Sequence, residues 1–284
     1  MIIPSSKGLI ALDIDGTLTA ETSIPDEMIK YLCELHEEGW AFAFITGRPF
    51  SWAYPTLSAI PFPSFFAIQN GALLLELPSK KFLNSYYLQN DLIPSLTKLS
   101  QDFQTDYVIY SGYENGDLCY YRPQFFAPNH LSYLTERAKL LKEKWVQVSS
   151  FDHLPVHTFT AFKFFANEEK AQLLSKKIEE ELSLHAPSIK DPCNADYFIV
   201  QATHPFACKG RVIQDICKLA SFIGTIIAAG NDNNDLGMLE AATIKIAMAD
   251  APASLLKIAD IIAPLATEMG LIDGLKQALN LTRV

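Results

Sequence analysis

Asp13 and Asp15 stand two residues apart at the end of the apolar run Gly8–Leu12, and Gly16-Thr17-Leu18-Thr19 follows them. Carboxylates are costly to desolvate, so an apolar run leading straight into two of them calls for a partner. A hard divalent cation such as Mg²⁺ is one, since it takes one or two carboxylates together with water and phosphate oxygens. A carboxylate can also attack phosphorus to give an aspartyl-phosphate. Further on, Thr46-Gly47-Arg48, Gln69-Asn70-Gly71, Lys209-Gly210 and Gly230-Asn231-Asp232-Asn233-Asn234-Asp235 supply hydroxyl, amide, ammonium and carboxylate groups. The six histidines show no metal-ligand spacing: His153 and His157 flank Pro155, which breaks the helix that such a spacing needs.

The elements that must hold these groups read as alternating strands and helices. Gly8–Leu12, Ala41–Ile45 and Phe65–Ile68 are short apolar runs, each ending in a polar loop that carries glycine, as buried parallel strands do. Between the first two, residues 25–38 predict an amphipathic helix with Met28, Leu32 and Leu35 on one face and Gly39 as its stop. From 84 to 204 the pattern changes. Strands are expected at Tyr107–Tyr110, Leu118–Tyr121, Phe159–Phe165 and Tyr197–Gln201, with helices over 91–102, 130–145 and 167–184. The tyrosines at 107, 110, 113, 120 and 121 read as sheet core of this region. The earlier rhythm then resumes: helix 209–219, strand Thr225–Ala229, helix 236–241, strand Ile244–Met248, helix 252–258, a last strand near 260–262 and a last helix near 271–279. The expected fold is α/β: a doubly wound, mostly parallel sheet from 1–83 and 205–284, with an inserted α+β domain at 84–204. In open α/β sheets, ligands gather at the carboxyl ends of the strands, where these polar loops fall.

Composition bounds the partners. The chain has 284 residues, 49% hydrophobic and 19% charged, with a formal net charge of −9. An acidic surface disfavours nucleic acid and anionic membrane, and no apolar run reaches the length of a membrane span. The start, Met1 to Ile10, holds few apolar residues, so no signal peptide is expected and a cytoplasmic location is. The five cysteines are widely spaced without a C-x-x-C pair and read as free thiols. No P-loop and no G-x-G-x-x-G is present.

The polar segments resemble, in order, the four motifs of the haloacid dehalogenase superfamily. Asp13-Ile14-Asp15-Gly16-Thr17-Leu18-Thr19 resembles the first and Ile45-Thr46-Gly47-Arg48 the second. Lys209-Gly210 before a helix resembles the third. The run from Gly230 to Leu239, with Asn234-Asp235 and Met238-Leu239, resembles the fourth, and Asn70-Gly71-Ala72 is similar to a mark of the Cof-type branch. The resemblance implies a Mg²⁺-dependent phosphatase acting on a small phosphorylated metabolite, sugar phosphates first, as a monomer or weak homodimer, with the inserted domain as a cap. A sugar phosphomutase, a disaccharide-phosphate phosphatase or a non-catalytic phosphate-binding module are the alternatives.

It also implies roles. Asp13 would be the nucleophile, and Asp15 the acid and base that also lends its carbonyl to the metal. Thr46 and Lys209 would hold the phosphoryl group. Gly47, Arg48, Asn70, Gly71 and Asn234 would lie on the substrate side. The metal shell would draw on Asp13, Asp15, Asn231 and Asp235. One position departs from the family: Asn231 stands where an aspartate is expected, so Asn231, Asp232 or Asp235 could complete the shell. Asp235 could instead hold Lys209.

Overall fold

The structure is a computed structural model that describes residues 7–222 and 224–282. In chain order it begins β1 (Gly8–Leu12), α1 (Asp26–Glu37), β2 (Trp40–Ile45), α2 (Phe50–Leu57), β3 (Ser64–Ile68), β4 (Leu73–Leu77) and β5 (Lys81–Ser85). Next come β6 (Leu88–Gln89), α3 (Ile93–Asp102), β7 (Tyr107–Tyr110), β8 (Leu118–Tyr121), α4 (Pro128–Leu140), β9 (Lys144–Gln147), β10 (Thr158–Phe159), β11 (Ala161–Ala166), α5 (Glu168–Leu182), β12 (Ser188–Lys190) and β13 (Phe198–Thr203). The chain ends α6 (Lys209–Leu219), β14 (Thr225–Gly230), α7 (Leu236–Glu240), β15 (Ile244–Met248), α8 (Ala253–Ile258), β16 (Ile261–Ala263) and α9 (Gly270–Leu281).

These elements form two compact units. One comprises residues 1–47, 54–85 and 207–284; the other comprises 48–53 and 86–206. The sequence pattern alone places the boundaries at 83/84 and 204/205, with 48–53 in the first unit. The backbone of Ser51 donates to the Asp117 carboxylate at 2.6 Å, and the Phe50 ring lies 3.9 Å from that of Tyr113, which ties this segment to the second unit.

The first unit is built on an eight-stranded sheet in the order β16-β15-β14-β1-β2-β3-β4-β5. The six strands from β16 to β3 are parallel; β4 and β5 run antiparallel at the edge. Every residue of β1, β2 and β3 is buried, which explains why they are apolar throughout rather than alternating. One face carries Leu9, Ala11, Ala43 and Ala247 and packs on Val212 and Ile216 of α6, Met238 and Leu239 of α7 and Leu255 of α8. On the other face Ile246 meets α9 at Gly274, and α9 lies beside α1, with Lys276 over the Tyr31 ring. The helix α1 buries Met28, Leu32 and Leu35 at spacings of four and three, places Asp26 and Glu27 in its first turn, and stops before Gly39, whose φ is 99°. Each buried Leu or Met contributes roughly 1.5–3 kcal/mol of burial.

The second unit holds a six-stranded sheet, β12-β13-β11-β7-β8-β9, and a separate β6–β10 pair. One face packs on α3 and α5 through Leu96, Leu99, Leu174 and Ile178; the other packs on Leu134 of α4. Tyr107, Tyr110 and Tyr120 are buried in these cores as expected. The helix expected over 130–145 ends at Leu140, and Lys144–Gln147 forms β9 beside β8. Trp145 packs there against Tyr121 and donates from Nε1 to Glu143 at 2.8 Å, so tertiary pairing overrides a local helical pattern.

All five cysteines are free. His153 and His157 are exposed outside any helix. Among the described residues no helix is long and apolar enough to cross a membrane. Residues 1–6 of the start considered as a leader lie outside the described residues.

Candidate active site

The sheet order fixes where the site must be. From β1 the chain winds outward through β2 and β3, then returns to β14 on the other side of β1. The carboxyl ends of β1 and β14 therefore adjoin at the point where the winding reverses, the usual crevice of such folds. The register sets Leu12 beside Ala229 and Phe44, and the backbone N–H of Asp13 continues the ladder to the Ala229 carbonyl at 3.1 Å. Asp13 thus leaves β1 next to Gly230 and Asn231.

The Asp13–Thr19 turn is self-bonded. Thr17, Leu18 and Thr19 all donate backbone N–H groups to the Ile14 carbonyl, and Gly16 donates to that of Thr19. Gly16 has φ of +73°, and a Cβ there would lie 2.2 Å from the Asn231 side chain. Only glycine lets the two loops meet this closely.

Lys209 is brought in by a helix crossing. It is the first residue of α6, and Gly210 follows it. A Cβ on Gly210 would sit 2.4 Å from the Gly237 carbonyl oxygen, so α6 and α7 touch backbone to backbone. The ammonium, 1% exposed, donates to Asp13 Oδ1 and, at 2.6 Å, to Asp235 Oδ1. Asp235 Oδ2 accepts the backbone N–H groups of Asn231 at 2.9 Å and Asp232 at 3.0 Å. Asp232 in turn accepts from the backbone of Asn233 at 2.7 Å, completing a capping box with Asp235.

Both oxygens of Asp235 accept hydrogen bonds, Oδ1 from Lys209 and Oδ2 from the loop backbone, so this residue holds Lys209, one of the two roles the sequence left open for it. Asp232 accepts from the Asn233 backbone at the cap of the next helix. Asn231 is the residue that faces Asp13 and Asp15. The end of its amide lies 2.8 Å from the Asp15 carbonyl oxygen, 3.3 Å from Asp13 Oδ2 and 3.3 Å from Thr17 Oγ1. The only mark of Thr17 in the sequence is its place in the first motif.

The other candidates distribute as follows. Thr46 is buried at the end of β2. Its N–H donates to the Ala67 carbonyl, and its own carbonyl accepts from Asn70, both at 2.9 Å. Asn70 is fully buried with φ of 57°, and its Oδ1 accepts from Asn234 Nδ2 at 3.0 Å. The loops after β2, β3 and β14 are thereby joined, which brings Thr46, Asn70 and Asn234 together. Gly71, at φ of 103°, packs on Val212 of α6, so its role is the close approach of that helix. Gly47 follows Thr46 at the loop, half-buried. Arg48 is buried with its guanidinium 4.3 Å over the Trp52 ring, in the segment that belongs to the second unit.

The electrostatics leave room for more positive charge. Burial, and then the Asp235 carboxylate, push the Asp13 carboxyl up to about 8, against the pull of Lys209. Burial works to discharge Lys209, but Asp13 and Asp235 outweigh it and raise its pKa above the ordinary lysine value. One ammonium thus serves two buried carboxylates. Asp13 Oδ2, the Asp15 carbonyl and the Asn231 amide converge from the other side; with the amide oxygen turned inward the set would be all oxygen, which suits a hard divalent cation. Among the described residues no three His, Cys, Asp or Glu side chains form a metal cluster; here the second oxygen is a backbone carbonyl and the third an amide.

The sequence pattern of the haloacid dehalogenase-like hydrolases matches residues 10–275. The chain belongs to this family. Among curated members, Putative phosphatase YxeH of Bacillus subtilis (strain 168) is 25% identical over 268 residues, covering 89% of this chain and 91% of YxeH. Among solved structures, SMU.1108c of Streptococcus mutans UA159 superposes with a TM-score of 0.77 at 22% identity, covering 97% of this chain and all of that one. The HAD subclass IIB sugar phosphatase BT4131 gives a TM-score of 0.74 at 19% identity, covering 96% of this chain and 98% of its own. These likenesses carry the fold of the family over nearly the whole chain.

Proposed function

We propose that this haloacid dehalogenase-like hydrolase is a Mg²⁺-dependent phosphatase of the cytoplasm. It would release phosphate from monoesters of small metabolites, sugar phosphates foremost, through a phospho-aspartate on Asp13. The observation that carries the reading is the Lys209 ammonium held between Asp13 and Asp235 where β1 and β14 diverge. The names of YxeH, as a phosphatase, and of BT4131, as a sugar phosphatase, support the substrate class.

In this reading an Asp13 carboxylate oxygen attacks phosphorus and the bond from phosphorus to the ester oxygen breaks. Asp15 gives its proton to the departing alkoxide. It then takes a proton from the water that attacks the phospho-aspartate, which releases inorganic phosphate and restores Asp13. Lys209 holds Asp13 in place and offsets charge on the phosphoryl group, to which Thr46 donates its hydroxyl. Asn70 and Asn234, joined to the Thr46 loop, shape the substrate side. Asp13, the Asp15 carbonyl and Asn231 would hold the Mg²⁺, which when bound neutralises developing charge on phosphoryl oxygens.

The test is a phosphate-release screen over sugar phosphates and phosphorylated cofactors with Mg²⁺ present. Wild type is expected to release phosphate, and Asp13→Asn to lose turnover by about a thousandfold or more. Near-wild-type release by Asp13→Asn would remove Asp13 as nucleophile. Isomerised sugar phosphate without release would make the protein a mutase.

A further inference from the structure

Asn231 has its side chain within reach of both Asp13 and the Asp15 carbonyl, and it is an amide rather than a carboxylate. The two ends of an amide differ chemically: the nitrogen donates and the oxygen accepts. The end that faces the turn has two acceptors in reach, the Asp15 carbonyl at 2.8 Å and Asp13 Oδ2 at 3.3 Å, with the Thr17 hydroxyl at 3.3 Å. Nitrogen in that place donates to both acceptors. Oxygen in that place makes three oxygens converge, an arrangement that repels unless a cation lies among them. The Thr17 hydroxyl serves either orientation, since it accepts from the nitrogen or donates to the oxygen at 3.3 Å.

The backbone permits the exchange. Asn231 N is fixed by Asp235 Oδ2, so the main chain stays in place while only the side-chain amide turns. The outer end of the amide packs against Gly16, which carries no Cβ to obstruct it. An aspartate at this position presents oxygen and can donate only when protonated, through one O–H in place of the two N–H groups of the amide.

We infer that Asn231 is a two-way amide gate on the cation site. With nitrogen inward it bridges Asp13 and the Asp15 carbonyl and stands in for the positive charge that Asp13 and Asp235 require beyond Lys209. With oxygen inward it becomes a neutral ligand. The cation must therefore displace two internal hydrogen bonds and gains one charge fewer than an aspartate would give it. The consequence is a protein that is stable when stripped of metal and that binds Mg²⁺ weakly. This inference rests on the phosphatase reading for the identity of the cation, but its readouts do not depend on turnover.

The experiment compares wild type, Asn231→Asp and Asn231→Ser by thermal unfolding in chelator and by calorimetric titration with MgCl₂. Asn231→Asp is expected to melt lower than wild type in chelator, because it loses two donors and adds a carboxylate beside Asp13. It is expected to bind Mg²⁺ about tenfold tighter, because ligand charge sets affinity in such sites. Asn231→Ser should also melt lower in chelator but bind Mg²⁺ more weakly than wild type. The serine variant keeps the test open if the aspartate variant does not fold. In wild type, the side-chain amide protons of Asn231 should be protected from exchange in chelator and lose that protection with saturating Mg²⁺. Unchanged melting of both variants in chelator would overturn the gate, as would an amide whose protection ignores Mg²⁺. Phosphate release by wild type, measured in parallel, shows separately whether the phosphatase reading stands.

Discussion

Lys209 is the residue on which the stability of the site turns. It is enclosed between Asp13 and Asp235, and removing one partner of a buried ion pair leaves uncompensated charge, at a cost of about 3–5 kcal/mol. Lys209→Met is therefore expected to lower stability by that amount in urea unfolding with chelator present, and to abolish phosphate release. Adding Asp13→Asn to Lys209→Met should recover part of the lost stability, since the pair is coupled. A strictly additive double variant would show that the two side chains do not share one charge balance. Asp235 is legible only in part at this scale. The sequence marks it as acidic and near the site, but its engagement with two backbone N–H groups depends on how the Gly230–Asp235 loop closes.

At the scale of elements, the approach of α6 to α7 delivers Lys209. That approach depends on Gly210, where a methyl group would strike the Gly237 backbone. Gly210→Ala is expected to leave the helix intact, since alanine is the better helix former, while separating α6 from α7 and shifting Lys209 off Asp13. Phosphate release should fall by about a hundredfold, the scale of misplacing a catalytic group by 1 Å, with far-UV circular dichroism unchanged. Full activity in Gly210→Ala would show that the helices can part without moving the lysine. The parallel strands were readable as unbroken apolar runs because both of their faces are covered. The β4–β5 pair was not readable, since an edge hairpin differs little in sequence from an irregular loop, and β9 was hidden inside a helical period.

At the scale of the molecule, two histidines in the second unit make stability depend on pH. Burial lowers both His130, which Lys170 depresses further, and His185 to about 4. Each is neutral in the folded chain and charges more readily when unfolded, at about 6.5. Between these values the unfolded chain binds more protons, so stability is full above about pH 6.5 and is lost as pH falls towards 4. Thermal unfolding followed from pH 7 to pH 4.5 should show a falling midpoint. His130→Phe with His185→Phe should flatten that fall; an unchanged slope would place the acid sensitivity elsewhere. The buried carboxylates of the second unit contain their own partners: Asp106 binds Arg122, and Arg137 holds both Glu143 and Asp191.

By itself, the sequence determined the family motifs, the buried parallel strands along the chain and the polar loops that follow their carboxyl ends. Those features are local: an apolar run, a glycine after a polar pair, a lysine at a helix start. Tertiary structure alone decided which of Asn231, Asp232 and Asp235 faces Asp13. A loop of six residues carries three candidate side chains, and spacing cannot say which one points inward. The choice is made by Asp235 turning back to bind Lys209 and the loop backbone, which leaves Asn231 against the Asp13–Asp15 turn. Those hydrogen bonds link β1, β14 and α6, elements up to about two hundred residues apart, and they exist only once the sheet has brought them side by side.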